Sequence, residues 1–172
     1  MTNAIELEDR LMRRLEELGI ETTTHRHPAV YTVAQSKELR GTLPGRHIRN
    51  LFLRDKKRNM WLVTVAEDLE VDLKRLRRAL DARGNLSFGA PELLAEHLGV
   101  EPGAVTPFAI MNDPENRVLF VLDRDLLADE PINAHPLHNE ATTAIAPRDI
   151  LRFAAACGHE PMIVDFADLS GP

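Results

Sequence analysis

The side chains that most often act as nucleophiles or metal ligands are few in this sequence and poorly placed for either role. The single cysteine, Cys157, ends the small apolar run "FAAAC" at a predicted helix end, where a buried and unreactive thiol is expected. His25 and His27 alternate along an extended segment and share a face, but no cysteine or carboxylate follows at a spacing that completes a zinc site. The sequence also lacks a Walker loop and a dinucleotide-binding glycine fingerprint. We therefore expect neither a metal nor a cofactor.

A loop of small and apolar residues, "GVEPGAVTPFAIMND" over residues 99–113, lies between densely charged flanks. Pro102 and Pro107 fix backbone dihedral angles, and Gly103 between them leaves room for a ligand or a strand to approach closely. Such a loop can bind a ligand through its own N–H and C=O groups. A structural turn between a helix and a strand is the alternative that the composition leaves open.

Positive charge concentrates in two stretches of a chain whose net charge is -6. From Arg40 to Arg58 there are seven basic residues against one acidic residue, Asp55, and a second basic cluster lies within residues 74–78. The overall acidity argues against unspecific coating of nucleic acid, whereas a locally basic face can hold a polyanion at one place. Solvated helix and hairpin faces are the alternative explanation of the same charges.

The helices and strands expected from the sequence indicate a single α+β domain over residues 1–172, and these elements must position the residues above. Amphipathic helices are expected over residues 4–18 and 73–81, and Pro91 and Pro147 each begin another helix. The strand-like runs "NLFLRD" and "MWLVTVA" are joined by the polar "KKRN" and predict an antiparallel hairpin. "NRVLFVLD", "PINAHPLHNEATTAI" and a buried "PMIVDF" add further strands, which favours a mixed sheet flanked by helices over a doubly wound parallel sheet.

Composition predicts a cytoplasmic protein that does not contact a membrane. One cysteine excludes an internal disulfide framework, which fits a reducing compartment. No apolar run approaches the roughly 20 residues that cross a bilayer. The N-terminal "MTNAIELEDR" is acidic, unlike the basic and then apolar start of a secretory signal.

Four blocks in a fixed order, covering nearly the whole chain, carry a resemblance to a known family: "RNLFLRDKK", "GVEPGAVTPFAIMND", "HPLHNEATTAI" and "PMIVDF". They resemble the free-standing prolyl-tRNA editing proteins, and more narrowly the alanyl-tRNA(Pro) deacylase type. These proteins are related to the insertion domain of bacterial prolyl-tRNA synthetase and to the YbaK cysteinyl-tRNA(Pro) deacylase. The resemblance implies a trans-editing enzyme that hydrolyses the ester of mischarged tRNA, with Ala-tRNA(Pro) as the expected substrate. It also implies a monomer, no cofactor, aminoacyl-tRNA as the partner and prolyl-tRNA synthetase as a second one.

The resemblance further implies which residues form the site. In the family the Gly-x-x-x-Pro loop, here residues 103–107, lies against the aminoacyl ester, and the terminal ribose hydroxyl helps to activate the attacking water. His135 matches a histidine that lines the pocket for the amino-acid side chain. The implied catalytic set is Arg49, Asn50, Gly103 and His135. The implied substrate-binding set is Ala104, Val105, Thr106, Pro107, Ala109 and Tyr31. Contacts to tRNA phosphates are expected from Arg46, Arg54, Lys56 and Lys57.

Two positions depart from the family pattern. The family has lysine where this chain has Arg49, and arginine keeps the charge but is bulkier and does not carry protons. Ala109 stands where the family usually has glycine, and its extra methyl either narrows a pocket or repacks it. These departures leave open a deacylase for another small amino acid (serine, threonine or cysteine) and a tRNA-binding homologue with weakened catalysis. A small-molecule binding protein that uses the same pocket is a third alternative.

Overall fold

Helices and strands are interleaved along the part of the chain that the computed structural model describes, namely residues 3–29, 38, 43–128 and 130–170. The α-helices are α1 (Ala4–Glu17), α2 (Leu73–Ala79), α3 (Pro91–Leu98), α4 (Pro147–Ala156) and α5 (Phe166–Ser170). The strands are β1 (Thr22–Arg26), β2 (Arg46–Arg54), β3 (Met60–Ala66), β4 (Ser87–Phe88), β5 (Val118–Asp123), β6 (Ile132–Ala134), β7 (Ala141–Ile145) and β8 (Met162–Val164). Short 3₁₀ helices cover Pro102–Ala104, Pro107–Asn112 and Arg124–Leu127. None of the helices in these ranges is long and apolar enough to cross a membrane.

The strands of the described ranges form one mixed sheet in the order β1-β7-β6-β2-β3-β5-β8, with β4 paired to β2. The predicted hairpin is the antiparallel β2–β3 pair, whose register runs from Ile48 opposite Ala66 to Arg54 opposite Met60. Parallel pairs join β2 to β6, β3 to β5 and β5 to β8. The predicted α+β class, with a mixed sheet, an antiparallel hairpin and flanking helices, is confirmed.

An apolar core lies on each face of the sheet. Strand β2 contributes to both cores, because its side chains alternate between the two faces. Phe52 packs into the larger cluster together with residues of α1, α3 and α4. Leu51 and Leu53 pack into a second cluster together with residues of α2 and α5. The same alternation places Asn50 on the side of Phe52 and Arg49 on the side of Leu51. Neighbours in the sequence therefore face different halves of the molecule.

Helix ends follow the capping signals in the sequence. The side chain of Asp72 accepts hydrogen bonds from the backbone N–H groups of Lys74 and Arg75 at the start of α2. Gly99 ends α3 with a φ of 67°, in the left-handed region that glycine adopts at little cost.

The C-terminal segment differs from its prediction. The run "PMIVDF" forms β8 as expected, but the strand is not buried: Met162 is 40% exposed, and the two other residues of the strand are half-buried. The reason is that β8 ends the sheet and pairs only with β5 among the described strands. Helix α5 follows it and was not predicted.

Candidate functional site

The edge of β2 that faces β6 has an opening in its middle. β6 pairs with the first two residues of β2, and β4 pairs with its last two. Residues 48–52 therefore have no partner strand on this edge within the described ranges. The chain leaves β6 beside this opening and makes a turn over residues 135–140 before β7 begins. The opening, the turn and the loop that follows α3 are the parts from which a site can be built.

Asn50 fixes the small-residue loop to the sheet. Its Nδ2 donates to the carbonyl oxygen of Val105 at 3.0 Å, and its Oδ1 accepts from the hydroxyl of Thr64 at 2.6 Å. Thr64 is fully buried and lies directly opposite Asn50 on β3. Within the loop, the hydroxyl of Thr106 accepts from the N–H of Phe108 at 3.3 Å and caps the second 3₁₀ helix. Both ends of the carboxamide are engaged, so Asn50 ties the loop at Val105 to β2 and β3.

The loop presents only some of its predicted catalytic and substrate-binding residues to solvent. Gly103 is exposed and Val105 is half-buried. The residues with buried side chains are Ala104, Thr106, Pro107 and Ala109. Ala109 is fully buried in the larger core, so the methyl that distinguishes it from glycine packs among core residues and does not line an opening. Tyr31 lies outside the described residues.

The turn over residues 135–140 lies beside the loop. A Cβ atom built on Gly103 would be 3.4 Å from Nδ2 of Asn139. In the middle of the turn, Leu137 is 2% exposed and has a φ of 73°, a left-handed conformation that is unusual for a leucine. Surrounding contacts must hold such a residue in place, because the conformation costs free energy. The turn is therefore a shaped and supported segment.

Glu8 of α1 supplies much of this support. Its carboxylate is 4% exposed, pairs with Arg26 through Oε2 and accepts from Nε2 of His138 at 3.3 Å through Oε1. Nδ1 of His138 accepts from the N–H of Glu140 at 3.1 Å. Because Nδ1 accepts, the proton of the ring is assigned to Nε2, the nitrogen that faces the carboxylate. The first helix thus fixes the turn that borders the loop.

His135 begins the turn, and a hydrogen bond from one of its ring nitrogens holds the ring in place. Its Nδ1 donates to the carbonyl oxygen of Ala141 at 3.0 Å. Burial lowers the pKa of His135 below its ordinary value of 6.5, although the bond to Ala141 acts in the opposite direction. The ring of His27 lies 6.4 Å away, centroid to centroid. At neutral pH His135 is therefore an uncharged ring whose Nε2 can accept a hydrogen bond.

Arg49 lies apart from these groups. It is exposed, projects from the opposite side of β2 to Asn50, and donates to the carbonyl oxygen of Leu69 at 2.8 Å. In the described part of the chain, no hydrogen bond joins it to residues 103–107. The structure thus brings Asn50, Gly103 and the turn that begins with His135 together, and it leaves Arg49 on the other face of the strand.

The predicted tRNA-contacting residues also divide into two groups. Arg46 is engaged in an ion pair with Asp125 at 2.7 Å. Arg54, Lys56 and Lys57 are exposed, and none of them forms an ion pair with the described residues. These three side chains form a positively charged surface at the end of the hairpin. Arg40, the first residue of the basic stretch, lies outside the described residues.

The buried carboxylate of Asp55 shapes this end of the hairpin. It is 2% exposed and accepts hydrogen bonds from the backbone N–H groups of Lys57, Asn59 and Arg83 and from the side-chain amide of Asn59. Burial acts to raise the pKa of Asp55, but these hydrogen bonds outweigh it and leave the pKa below its ordinary value. The bond to Arg83 brings a further exposed arginine next to the lysines.

Sequence reasoning missed the supporting residues of this site: Glu8, His138 and Asn139. Glu8 looks like any polar residue of an amphipathic helix, and its partner His138 is 130 positions away in the sequence. Asn139 follows Pro-Leu-His in a turn, where a polar residue is expected to lie on the surface. In the described ranges, no group of three or more histidine, cysteine, aspartate or glutamate side chains is arranged to hold a metal ion.

Known proteins resemble this chain over nearly its full length. Residues 27–153 match the sequence pattern of the family described as "Aminoacyl-tRNA editing domain". The chain is 42% identical over 164 residues to prolyl-tRNA synthetase associated domain-containing protein 1 of Danio rerio, covering 94% of this chain and 89% of that protein. It is 32% identical over 150 residues to the prolyl-tRNA editing protein ProX of Acetoanaerobium sticklandii, covering 87% of this chain and 91% of that protein.

A solved structure shares the fold. It is described as a candidate trans-editing enzyme for prolyl-tRNA synthetase, and it superposes with a TM-score of 0.71 at 22% sequence identity. The superposition covers 96% of this chain and 98% of that one. At this level of identity, the likeness concerns the fold alone.

Proposed function

The chain belongs to the aminoacyl-tRNA editing domain family, and on that premise we propose that it is a trans-acting deacylase that hydrolyses mischarged Ala-tRNA(Pro). One observation carries the proposal: Asn50 fixes a loop of small residues beside the turn that bears His135. This arrangement brings an exposed backbone segment at Gly103 next to a turn that begins with an uncharged histidine ring.

The reaction asks for positioning and for stabilisation of developing charge. The oxygen of a water molecule adds to the ester carbonyl carbon, and the carbon–oxygen bond to the terminal ribose then breaks. One proton of the water passes to the ribose oxygen, the other passes to solvent, and the amino acid leaves as a carboxylate. A fixed loop and nearby amide donors supply orientation and stabilisation of the oxyanion. By the family resemblance, the neighbouring ribose hydroxyl assists the attacking water.

Selection between alanine and proline is, in this proposal, a selection by size. A synthetase pocket built for proline rejects a smaller apolar side chain by only about 1–3 kcal/mol for each missing methylene group. A second pocket that admits alanine and excludes the larger proline removes the error. The uncharged ring of His135 and the half-buried Val105 suit the wall of such a pocket, because neither places a charge against a methyl group.

The partner in this proposal is the acceptor end of an aminoacyl-tRNA. Arg54, Lys56 and Lys57 are exposed and free of ion pairs in the described part of the molecule, which leaves them available to phosphates. Arg46 already has a carboxylate partner in Asp125 and is expected to contribute less to phosphate binding. The names of its relatives mention prolyl-tRNA synthetase and prolyl-tRNA editing, and we further propose that the protein acts after that synthetase. We also propose that it is a cytoplasmic monomer, as the family resemblance implies.

One structural observation favours a second candidate function, a tRNA-binding homologue with weak catalysis. Arg49 replaces the family's lysine, and its guanidinium group is engaged with Leu69 on the face of β2 away from the loop. A deacylase for serine, threonine or cysteine is the other alternative. The buried position of Ala109 weakens one argument for that change of substrate, since its methyl does not narrow an opening.

The test is deacylation of a panel of charged tRNAs by the wild-type protein and its R49K and R49A variants. We expect Ala-tRNA(Pro) to be hydrolysed and Pro-tRNA(Pro) to be spared. Binding of tRNA without hydrolysis, restored to hydrolysis by R49K, would support the weakened homologue. Faster release of serine, threonine or cysteine than of alanine would move the substrate assignment to that amino acid.

A further inference from the structure

Neither backbone strain nor a close contact with the described residues requires a glycine at position 103. Its φ is not in the left-handed region that favours glycine, unlike that of Gly99. Among the described residues, the atom that a Cβ at Gly103 would meet is Nδ2 of Asn139, at an ordinary contact distance of 3.4 Å. At Gly89, in contrast, a Cβ atom would collide with the ring of Phe52. Within the described part of the molecule, the side chain missing at Gly103 therefore leaves space that a ligand can occupy.

Asn139 is the side chain that faces this space. Its neighbours are fixed: His138 is bound by Glu8 and by the N–H of Glu140, and Leu137 is buried. The carboxamide of Asn139 is half-buried and forms no hydrogen bond with any described residue. A supported turn thus holds an amide donor, unpaired among the described residues, in front of an exposed glycine.

We propose that Nδ2 of Asn139 donates a hydrogen bond to the carbonyl oxygen of the aminoacyl ester, which lies in the space in front of Gly103. This inference rests on the proposed deacylase function. When water adds to the ester carbon, this oxygen gains negative charge, and a donor already in place stabilises it more strongly than it stabilises the substrate. Asn139 is then a catalytic residue, and Gly103 is the position that makes room for the reacting group.

Kinetics of Asn139 variants test the donor. Loss of one oxyanion donor lowers kcat by about 100- to 1,000-fold, so N139A is expected to lower kcat by about that factor with a smaller change in KM. N139D keeps the size but replaces the donor by a carboxylate that repels the oxyanion, and its kcat is expected to be lower still. E140Q serves as the matched control, because Glu140 is exposed and contacts the turn through its backbone N–H. Wild-type kcat in N139A would overturn the inference.

The G103A variant tests whether the space in front of Gly103 is needed for activity, separately from any effect on stability. Alanine fits at this φ and in this environment, so the thermal unfolding midpoint is expected to stay unchanged or to rise slightly. The added methyl occupies the space of the carbonyl oxygen, so kcat/KM for Ala-tRNA(Pro) is expected to fall by about tenfold or more. Full activity with unchanged stability would contradict an occupied space at Gly103.

A non-hydrolysable probe distinguishes failure of this inference from failure of the proposed function. The probe is 3′-deoxy-3′-(alanylamino)adenosine, in which an amide replaces the ester. Binding to the wild type should shift the side-chain amide resonances of Asn139, and N139A should bind it more weakly. Hydrolysis by the wild type without such a shift would overturn the role of Asn139 alone. If the wild type does not hydrolyse Ala-tRNA(Pro) and does not bind the probe, both proposals are overturned.

Discussion

Replacement of Asn50 by alanine should both destabilise the protein and displace the loop. The variant N50A leaves the carbonyl oxygen of Val105 and the buried hydroxyl of Thr64 without their partner. A buried polar group that loses its partner costs about 1–3 kcal/mol. Val105 is only half-buried, which places its cost at the lower end, whereas Thr64 is fully buried. We therefore expect the free energy of unfolding to fall by about 2–4 kcal/mol.

The loss of activity should exceed what the loss of stability explains. A misplacement of about 1 Å near the reacting atoms costs about 100-fold in rate, so single-turnover hydrolysis of Ala-tRNA(Pro) by folded N50A should slow by about that factor. Urea unfolding gives the stability, and the rate is measured where both proteins are folded. T64V is the matched control, because it removes the buried hydroxyl and keeps the bond from Asn50 to Val105. An N50A variant with wild-type rate, or a T64V variant as slow as N50A, would refute the reasoning.

Three further predictions concern charge and protonation. D55N should lower the free energy of unfolding by about 2 kcal/mol, since an amide replaces an acceptor of four hydrogen bonds. Folding lowers the pKa of Asp55, so the stability difference between wild type and D55N should be present above the ordinary carboxyl pKa of 3.8. It should vanish as the pH falls through the folded-state pKa. Urea unfolding at several pH values measures this dependence. The pKa of His135 should lie below 6.5 in an NMR titration of its ring protons, and a midpoint at or above 6.5 would contradict the effect of burial. The double variant K56E/K57E should raise KM for charged tRNA by about tenfold with an unchanged unfolding midpoint. The exposed Arg148, as R148E, is its control, and an unchanged KM would remove the hairpin end from the tRNA surface.

The parts of the fold that local signals encode were predictable. The β2–β3 hairpin follows from two β-forming runs around a polar turn, and the ends of α2 and α3 follow from Asp72 and Gly99. The resemblance to the prolyl-tRNA editing proteins is confirmed by the family match and by the relatives. These features depend on residues close in the sequence or on blocks long enough to be recognised.

Burial within the loop was not predictable from its composition. Small apolar residues are equally suited to a ligand pocket and to a protein core. The structure buries Thr106 and Ala109 in the core and exposes Gly103. Only the packing of the loop against β2, α3 and α4 decides between the two outcomes, and that packing brings together distant parts of the chain.

The separation of Arg49 from Asn50 has a simple physical cause. Adjacent residues of a strand project to opposite faces, so two neighbours in one motif reach different surroundings. The buried Glu8 illustrates the complementary case, in which residues far apart in sequence meet. Its contacts with Arg26 and His138 depend on how α1 packs against the sheet, which no short pattern encodes.

The most direct test of the account compares the initial rates at which the wild-type protein deacylates Ala-tRNA(Pro) and Pro-tRNA(Pro) under identical conditions. A loop fixed by Asn50 beside the uncharged His135 predicts rapid release of alanine and release of proline no faster than in buffer alone. Equal rates for the two amino acids would contradict selection by size. No acceleration for either one would contradict the proposed deacylase function itself.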